Sequence, residues 1–481
     1  MSLFLFIFCL AGNAIFLLSL LVICIESVKE QEKRAARLAS LGVFISLIFL
    51  ALILFVPQIW VPLSLLLAVL GVFGLAVLVP GGGNKRVLLG AMGYAVSTVS
   101  RFHEADGMFA RTRSVPEGSE IYKQFYKEHP EWEEGDKIRR EKGILGKIGT
   151  IDAGFLPNVA MMLATDEIPD YLGPFSRSKP ISSGSQQYSD PVRNASIVKE
   201  FASHLGADLV GICEINPNWV YSHRGEIHYD NWDDWGTEIK DIPKYAVVFL
   251  LEMNRDHVMS APHTPSAAES TGNYAKGAYL STIMGRWFAH MGYRGIAEHS
   301  RNYDVILPPL AVDAGLGEVG RHGYLIAPKF GARVRIFATL TDMPLKVDKP
   351  ISIGAEEFCR KCMKCADSCP SRSIPTGEMT VTRGIEKWKL DEESCYDYWS
   401  RVGTDCAICM AICPFSRPNN YFHKTIRWFV ANSPLAKKTF PHIDNFLYGK
   451  RWSSRVAPDW LKYPKRSEAA DYPTYTTDLK Y

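Results

Sequence analysis

Eight of the eleven cysteines in this 481-residue chain lie between Cys359 and Cys413, while Cys9, Cys24 and Cys213 stand apart in apolar surroundings. Such clustering argues for metal rather than a disulfide framework, which would be spread through a small secreted scaffold. Cys359, Cys362, Cys365 and Cys369 are separated by two, two and three residues, and Pro370 follows. This is the bacterial ferredoxin run, in which three close thiolates grip three corners of one iron–sulfur cube and the fourth cysteine reaches a second cube. A second group, Cys406, Cys409 and Cys413 with Pro414, lacks one cysteine at the usual place, and Cys395, eleven positions before Cys406, can supply it. Ferredoxin logic assigns Cys359, Cys362, Cys365 and Cys413 to one 4Fe-4S cluster and Cys369, Cys395, Cys406 and Cys409 to the other. The crossed pairing holds the clusters near enough to exchange electrons. Zinc also accepts four thiolates, but the Cys-Pro endings and the two, two, three spacing are iron–sulfur features.

Clusters transfer single electrons and do not define a substrate, so the elements around them must specify the chemistry. The chain begins with an apolar stretch from Leu3 to Ile25, long enough to cross about 30 Å of hydrocarbon as a helix. Two further apolar runs, about Leu38 to Val56 and Ile59 to Val79, flank the short Pro57-Gln58 turn and read as a membrane hairpin. A cleaved signal peptide would need a basic start, which is missing, and no twin-arginine signal precedes the first run. Lys29, Lys33, Arg34 and Arg37 lie between the first two runs, and Lys85 and Arg86 follow the third. The positive-inside bias then makes the first loop and everything after residue 85 cytoplasmic, in an integral membrane protein with the lipid bilayer as partner. Reading one run as a buried or interfacial helix instead would change that sidedness. A net charge of +3 with 22% charged residues carries no footprint of a dedicated nucleic-acid binder.

The breaker Pro80-Gly81-Gly82-Gly83-Asn84 ends the membrane part, residues 1–83. Residues 84–192, charged and then rich in Pro, Ser and Gly, read as a wrapping segment. Residues 193–350 alternate helical patterns with the apolar runs Leu209 to Cys213 and Ala246 to Leu251, and Arg333 to Leu340 alternates like a strand, which points to an α/β catalytic domain. Residues 351–420 form the ferredoxin-like domain, and 421–481 are expected to pack on the catalytic domain.

Upstream of the clusters, Ala314-Gly315-Leu316-Gly317-Glu318-Val319-Gly320-Arg321-His322-Gly323 precedes Leu325-Ile326-Ala327-Pro328 and Gly331-Ala332-Arg333-Val334-Arg335. A nucleotide-phosphate loop would need a preceding strand and a matching acidic residue, and neither is evident. Together with Phe102 to Arg111, Pro116 to Ser119 and Asp444 to Gly449, these stretches resemble the cobalamin-dependent reductive dehalogenases, over roughly residues 100–450. The resemblance implies a corrinoid bound base-off in a nitroreductase-like α/β domain, its cobalt reduced through the two clusters. Gly315, Gly317, Gly320, Arg321 and His322 are the expected corrinoid contacts, the glycines because they let backbone approach a flat ligand closely.

Family members use a tyrosine as proton donor beside a lysine or arginine. Tyr274 matches that position best, with Tyr279 as runner-up; Arg335 is the favoured cation, with Arg333 kept because alternate strand residues share a face. Asn302 falls where some members place an asparagine near substrate. The implied substrate is a small organohalide. The implied electron donor is a separate protein of ferredoxin or flavodoxin type, or a membrane redox protein, with the oligomeric state left open. Exported members carry a twin-arginine signal and rely on a separate anchor, whereas this chain has its own spans. Two rivals remain. Epoxyqueuosine reductase shares the corrinoid domain and cluster run but uses an aspartate near the positions of Arg301 and Asn302. A membrane-anchored ferredoxin-like relay would leave some 250 residues between spans and clusters without a task.

Overall fold

The computed structural model of the chain describes residues 2–115, 117–147, 150, 156–181, 190–228 and 232–455. The chain divides into two compact units, one of Met1–Gly83, Ile353–Met363 and Pro418–Arg451, the other of Asn84–Ser352, Lys364–Arg417 and the chain from Trp452.

In the first unit the three apolar runs are the helices α1 (Ser2–Lys29), α2 (Lys33–Phe55) and α3 (Trp60–Leu78), of 28, 23 and 19 residues. At about 1.5 Å rise per residue they run about 42, 35 and 29 Å, enough to cross roughly 30 Å of bilayer hydrocarbon. All three are long and apolar enough to cross a membrane, and their surfaces carry exposed Phe44, Leu65 and Leu75. Two polar residues inside them pair with each other: Asn13 Nδ2 donates to the Ser46 carbonyl at 3.2 Å, and the Ser46 hydroxyl donates to Asn13 Oδ1 at 3.0 Å. Such a reciprocal bond joins α1 to α2 where hydrocarbon offers no hydrophobic drive for association. Two more helices of this unit, Tyr421–Asn432 and Pro434–Tyr448, pack on the spans, and Pro434–Tyr448 also packs on Ala355–Lys361. The chain over 418–451 thus groups with the spans, not with the catalytic unit to which the sequence assigned 421–481; residues 456–481 lie outside the described residues. The cause is polar: His423 and Asn420 find their partners on Glu26 and Glu30 at the end of α1.

The second unit is built on a five-stranded sheet in the order Arg177–Ser178, Gly295–Glu298, Val334–Thr341, Tyr245–Glu252, Leu209–Glu214. The two apolar runs read as strands fall in Leu209–Glu214 and Tyr245–Glu252. Every pairing is antiparallel, so the expected mixed helix and sheet is present without parallel crossovers. Both faces are covered, which is why Tyr245–Glu252 reads as an unbroken apolar run. Ala246, Val248, Leu250, Ala338 and Leu340 pack on one side, and Val247, Phe249, Leu251 and Phe337 on the other, with Leu280, Met284 and Phe288 of the long helix Thr264–His290. That helix comes close enough to the sheet that a Cβ on Gly277 would meet the Phe337 ring at 2.2 Å. Only glycine permits this approach.

The segment read as a wrapping arm carries a buried ion network. Asp136, fully buried, takes Arg111 Nε at 2.7 Å and Arg139 Nη1 at 3.2 Å. The same two arginines reach Glu393 and Asp397 on helix Glu392–Val402, which carries Cys395.

Candidate active site

A cavity of about 340 Å³ opens in the second unit, and Cys369, Cys395, Cys406 and Cys409 all line it. The chain presents Cys406 and Ala407 with φ of 65° and 57°, a left-handed turn that side chains other than glycine rarely adopt. Burial and the neighbouring thiols raise the pKa of Cys395, Cys406 and Cys409. Burial first and then Cys369 push Cys395 up to about 12, while burial and Cys395 act likewise on Cys406, also to about 12. Iron is the charge that reverses this penalty, so the donor set fits a cube. Among the described residues no three His, Cys, Asp or Glu side chains converge on a single ion, whereas a cube takes its thiolates at four separate corners. Of the other quartet, Cys359 and Cys362 belong to the first unit and Cys365 and Cys413 to the second.

Across the same cavity stands Tyr274, placed by helix Thr264–His290, with Arg335 from strand Val334–Thr341. The Arg335 guanidinium carbon lies 5.1 Å from the centroid of the Tyr274 ring. Arg335 Nη2 donates to Asp405 Oδ2 at 2.8 Å and to the Ser270 hydroxyl. Burial opposes its charge, but Tyr274, Asp405, Tyr324 and Tyr303 together hold the guanidinium above its ordinary pKa. Tyr303 and Tyr324 line the cavity as well, and burial above all keeps both phenols protonated. Glu226 closes one wall. Burial opposes its ionisation, yet His228 at 3.1 Å, Arg113 and Arg301 hold its carboxyl below the usual range. Ser300, Arg335 and Asp405 line the cavity, and Ser300 Oγ, Arg335 Nε and Asp405 Oδ1 have no partner among the described residues. Each such orphan costs about 1–3 kcal/mol unless something polar meets it, which fits a bound group or substrate.

The other residues singled out from the sequence lie elsewhere. Arg333 is buried, but its guanidinium goes to Glu252 at 2.9 Å and to the carbonyls of Met253 and Ser416, away from the cavity wall. Strand Val334–Thr341 starts one residue later, so the two arginines end on different partners. Asn302 is also buried, its amide donating to the Ala297 carbonyl at 2.8 Å, while its neighbours Ser300, Arg301 and Tyr303 face the cavity. Tyr279 is 53% exposed and is not among the residues lining the cavity.

In the glycine-rich loop a Cβ on Gly315 would meet the Lys349 carbonyl at 2.4 Å, and one on Gly317 the Ile326 carbonyl at 2.1 Å. The close approaches seen here are to the chain itself, with Gly320 against the Ile326 side chain. Arg321 donates to the carbonyls of Pro375 and Gly377 at 3.0 and 2.8 Å and lies over Trp388. His322 is buried, its pKa pushed down to about 4 by desolvation, and its Nδ1 accepts from the Tyr324 amide at 3.1 Å. None of these five lines the cavity; Tyr324, held by the same loop, does. Asp405, Ser270, Tyr303 and Tyr324 were not foreseen, although Asp405 directly precedes a cluster cysteine.

A cysteine quartet and a tyrosine–arginine pair thus line one cavity in a fold of mixed helix and sheet. The 4Fe-4S dicluster domain family matches residues 358–416. The chain is 31% identical over 293 residues to a tetrachloroethene reductive dehalogenase of Sulfurospirillum multivorans, covering 54% of this chain and 58% of the relative. Among solved structures, the catabolic reductive dehalogenase NpRdhA in complex with 3-bromo-4-hydroxybenzoic acid superposes with a TM-score of 0.61 at 25% identity, over 80% of this chain and 52% of that one. A reductive dehalogenase described for B12-dependent dehalogenation gives 0.58 at 26% identity, over 79% and 52%. The chain spans little more than half the length of these relatives. By sequence and fold it is similar to the reductive dehalogenases over that part of their length.

Proposed function

We propose that this chain is a membrane-anchored reductive dehalogenase, which replaces a halogen of a small organohalide by hydrogen. The observation that carries the reading is one cavity lined at once by Tyr274, Arg335 and the quartet Cys369, Cys395, Cys406 and Cys409. The overall change takes two electrons and one proton: the carbon–halogen bond breaks, halide leaves and a carbon–hydrogen bond forms. A corrinoid bound in the cavity and reduced through the clusters would supply the electron pair. The chain's own residues do the rest. Tyr274 gives its phenolic proton to the carbon that loses halide, and Arg335, clamped by Asp405, stabilises the phenolate left behind. The aromatic walls of Phe109, Tyr303, Tyr324 and Trp399 exclude water and offer apolar surface to a flat ring and a haloarene or haloalkene. Ser300, with its unpartnered hydroxyl, is placed to meet a polar group of either. The gathering of positive charge at one end of the spans supports a cytoplasmic catalytic unit, fed by a separate small redox protein or a membrane redox protein.

The test is halide release from brominated and chlorinated phenols and alkenes with reduced viologen, on purified chain whose corrinoid and iron are measured in the same preparation. Halide release with cobalt and about eight irons per chain supports the reading. Protein holding both cofactors yet releasing halide from none of these substrates overturns it, and full iron without cobalt would favour an electron relay instead.

A further inference from the structure

Helices Tyr421–Asn432 and Pro434–Tyr448 are fastened to one end of the spans by polar bonds. His423 Nε2 and Glu30 Oε1 are 2.8 Å apart, both residues being buried, and Asn420 Nδ2 donates to Glu26 Oε2 at 2.7 Å and to Glu30 Oε1 at 3.1 Å. Arg34 Nε donates to the Phe446 carbonyl at 3.0 Å, and the Gly81 amide to the Asn432 carbonyl at 2.6 Å. Glu26 and Glu30 close α1, Arg34 opens α2 and Gly81 follows α3, so all these attachments lie at the same end of the spans.

The opposite faces of the two helices are open. On the first, Tyr421, Lys424, Thr425 and Trp428 recur at helical spacing, and on the second Lys438, His442, Ile443 and Phe446 do. Tyr421 is 88%, Trp428 55% and Phe446 61% exposed. Large aromatic rings mixed with lysines make a poor soluble surface, but this is the composition of helices that lie at the boundary between headgroups and acyl chains. Lysine stems lie along apolar surface while their heads reach phosphate.

We propose that Tyr421–Asn432 and Pro434–Tyr448 form an in-plane collar around the span ends, seated in the lipid interface through Tyr421, Trp428, Ile443 and Phe446. The occupant is lipid because the collar is continuous with α1–α3, whose surfaces are themselves apolar and exposed. The proposal rests on reading those helices as spans, and it stands apart from the dehalogenase reading.

Hydroxyl-radical footprinting of the full chain tests it, in lipid nanodiscs loaded with one chain each, with every site's rate scaled to that of the denatured chain. Tyr171 and Phe175, 69% and 62% exposed in the other unit, serve as open references, and Phe44 and Leu65 on α2 and α3 as lipid-covered ones. We expect Trp428 and Phe446 to oxidise at least threefold more slowly than Tyr171 and Phe175. Oxidation of Trp428 and Phe446 at the rate of the open references, with Phe44 and Leu65 still protected, overturns the collar alone. Oxidation of Phe44 and Leu65 at that rate would remove the spans and the collar together.

Discussion

Taking one oxygen from Tyr274 is the sharpest intervention at the residue scale. The Tyr274→Phe variant should keep its iron and corrinoid but lose dehalogenation by about 10²–10⁴-fold, the range a positioned proton donor contributes, read as initial rates of halide release. Arg335→Met should act in the same direction, whereas Arg333→Met, whose target sits beside Glu252 and away from the cavity, should lower stability more than rate. A second prediction concerns Glu104, whose carboxylate accepts the amides of Gly225 and Glu226 at 2.8 and 3.1 Å. Burial, and after it the charge of Glu226, raises its pKa from 4.5 to about 8. The folded chain then holds a proton that the unfolded chain has lost above about pH 4.5, so this group makes stability fall as pH rises toward 8. Glu104→Gln should flatten the decline, giving a higher Tm than the parent at pH 8.5 and a smaller difference at pH 5.5; parallel Tm curves would contradict it.

The dicluster motif is legible because cysteine spacing is set along the chain itself. The choice between Arg333 and Arg335 was not, since it depends on Asp405, a partner 70 residues away in sequence that ties to one arginine only. Asn302 stands one position from Tyr303, which lines the cavity, a difference that depends on the local turn and not on spacing along the chain.

At the scale of elements, the arm over 101–150 does more than its composition suggested. Charge and helix propensity could place helices there, but the pairing of Arg111 and Arg139 with Asp136, Glu393 and Asp397 joins segments more than 250 residues apart and leaves no local pattern. Asp136→Ala removes the buried carboxylate that Arg111 and Arg139 share, leaving them Glu393 and Asp397, and should lower unfolding stability by about 1.5–3 kcal/mol, the range for a lost charged hydrogen bond, seen as a lower thermal midpoint. Because the network reaches the helix that carries Cys395, the loss should be accompanied by a weaker cluster signal in electron paramagnetic resonance. Cys395→Ala removes a corner directly and should leave roughly half the iron, with the other cluster still reducible. The antiparallel sheet escaped the sequence for a related reason. A strand buried on both faces reads as a plain apolar run whichever way its neighbours point.

For the whole molecule, the apolar runs made the spans plain, since length and hydropathy are additive along the chain. The grouping of 418–451 with the spans was not, because it hangs on His423 and Asn420 meeting Glu26 and Glu30. Sidedness can be read with reporter fusions: a fluorescent protein joined after Gly83 should glow in cells, and alkaline phosphatase at the same joint should stay inactive, with the reverse pattern arguing for an outward-facing catalytic unit. Helix Ala355–Lys361, which bears Cys359, rests on Pro434–Tyr448, and that helix rests on α2 and α3. The height of this Cys359 thiolate relative to the apolar helices is therefore set by stacked helices, as a lamp's is by its post. Electron tunnelling fades steeply with separation, so a carrier gliding in the membrane plane would meet this thiolate at one constant height on every encounter, whereas a carrier arriving from bulk water would have to find that height anew each time.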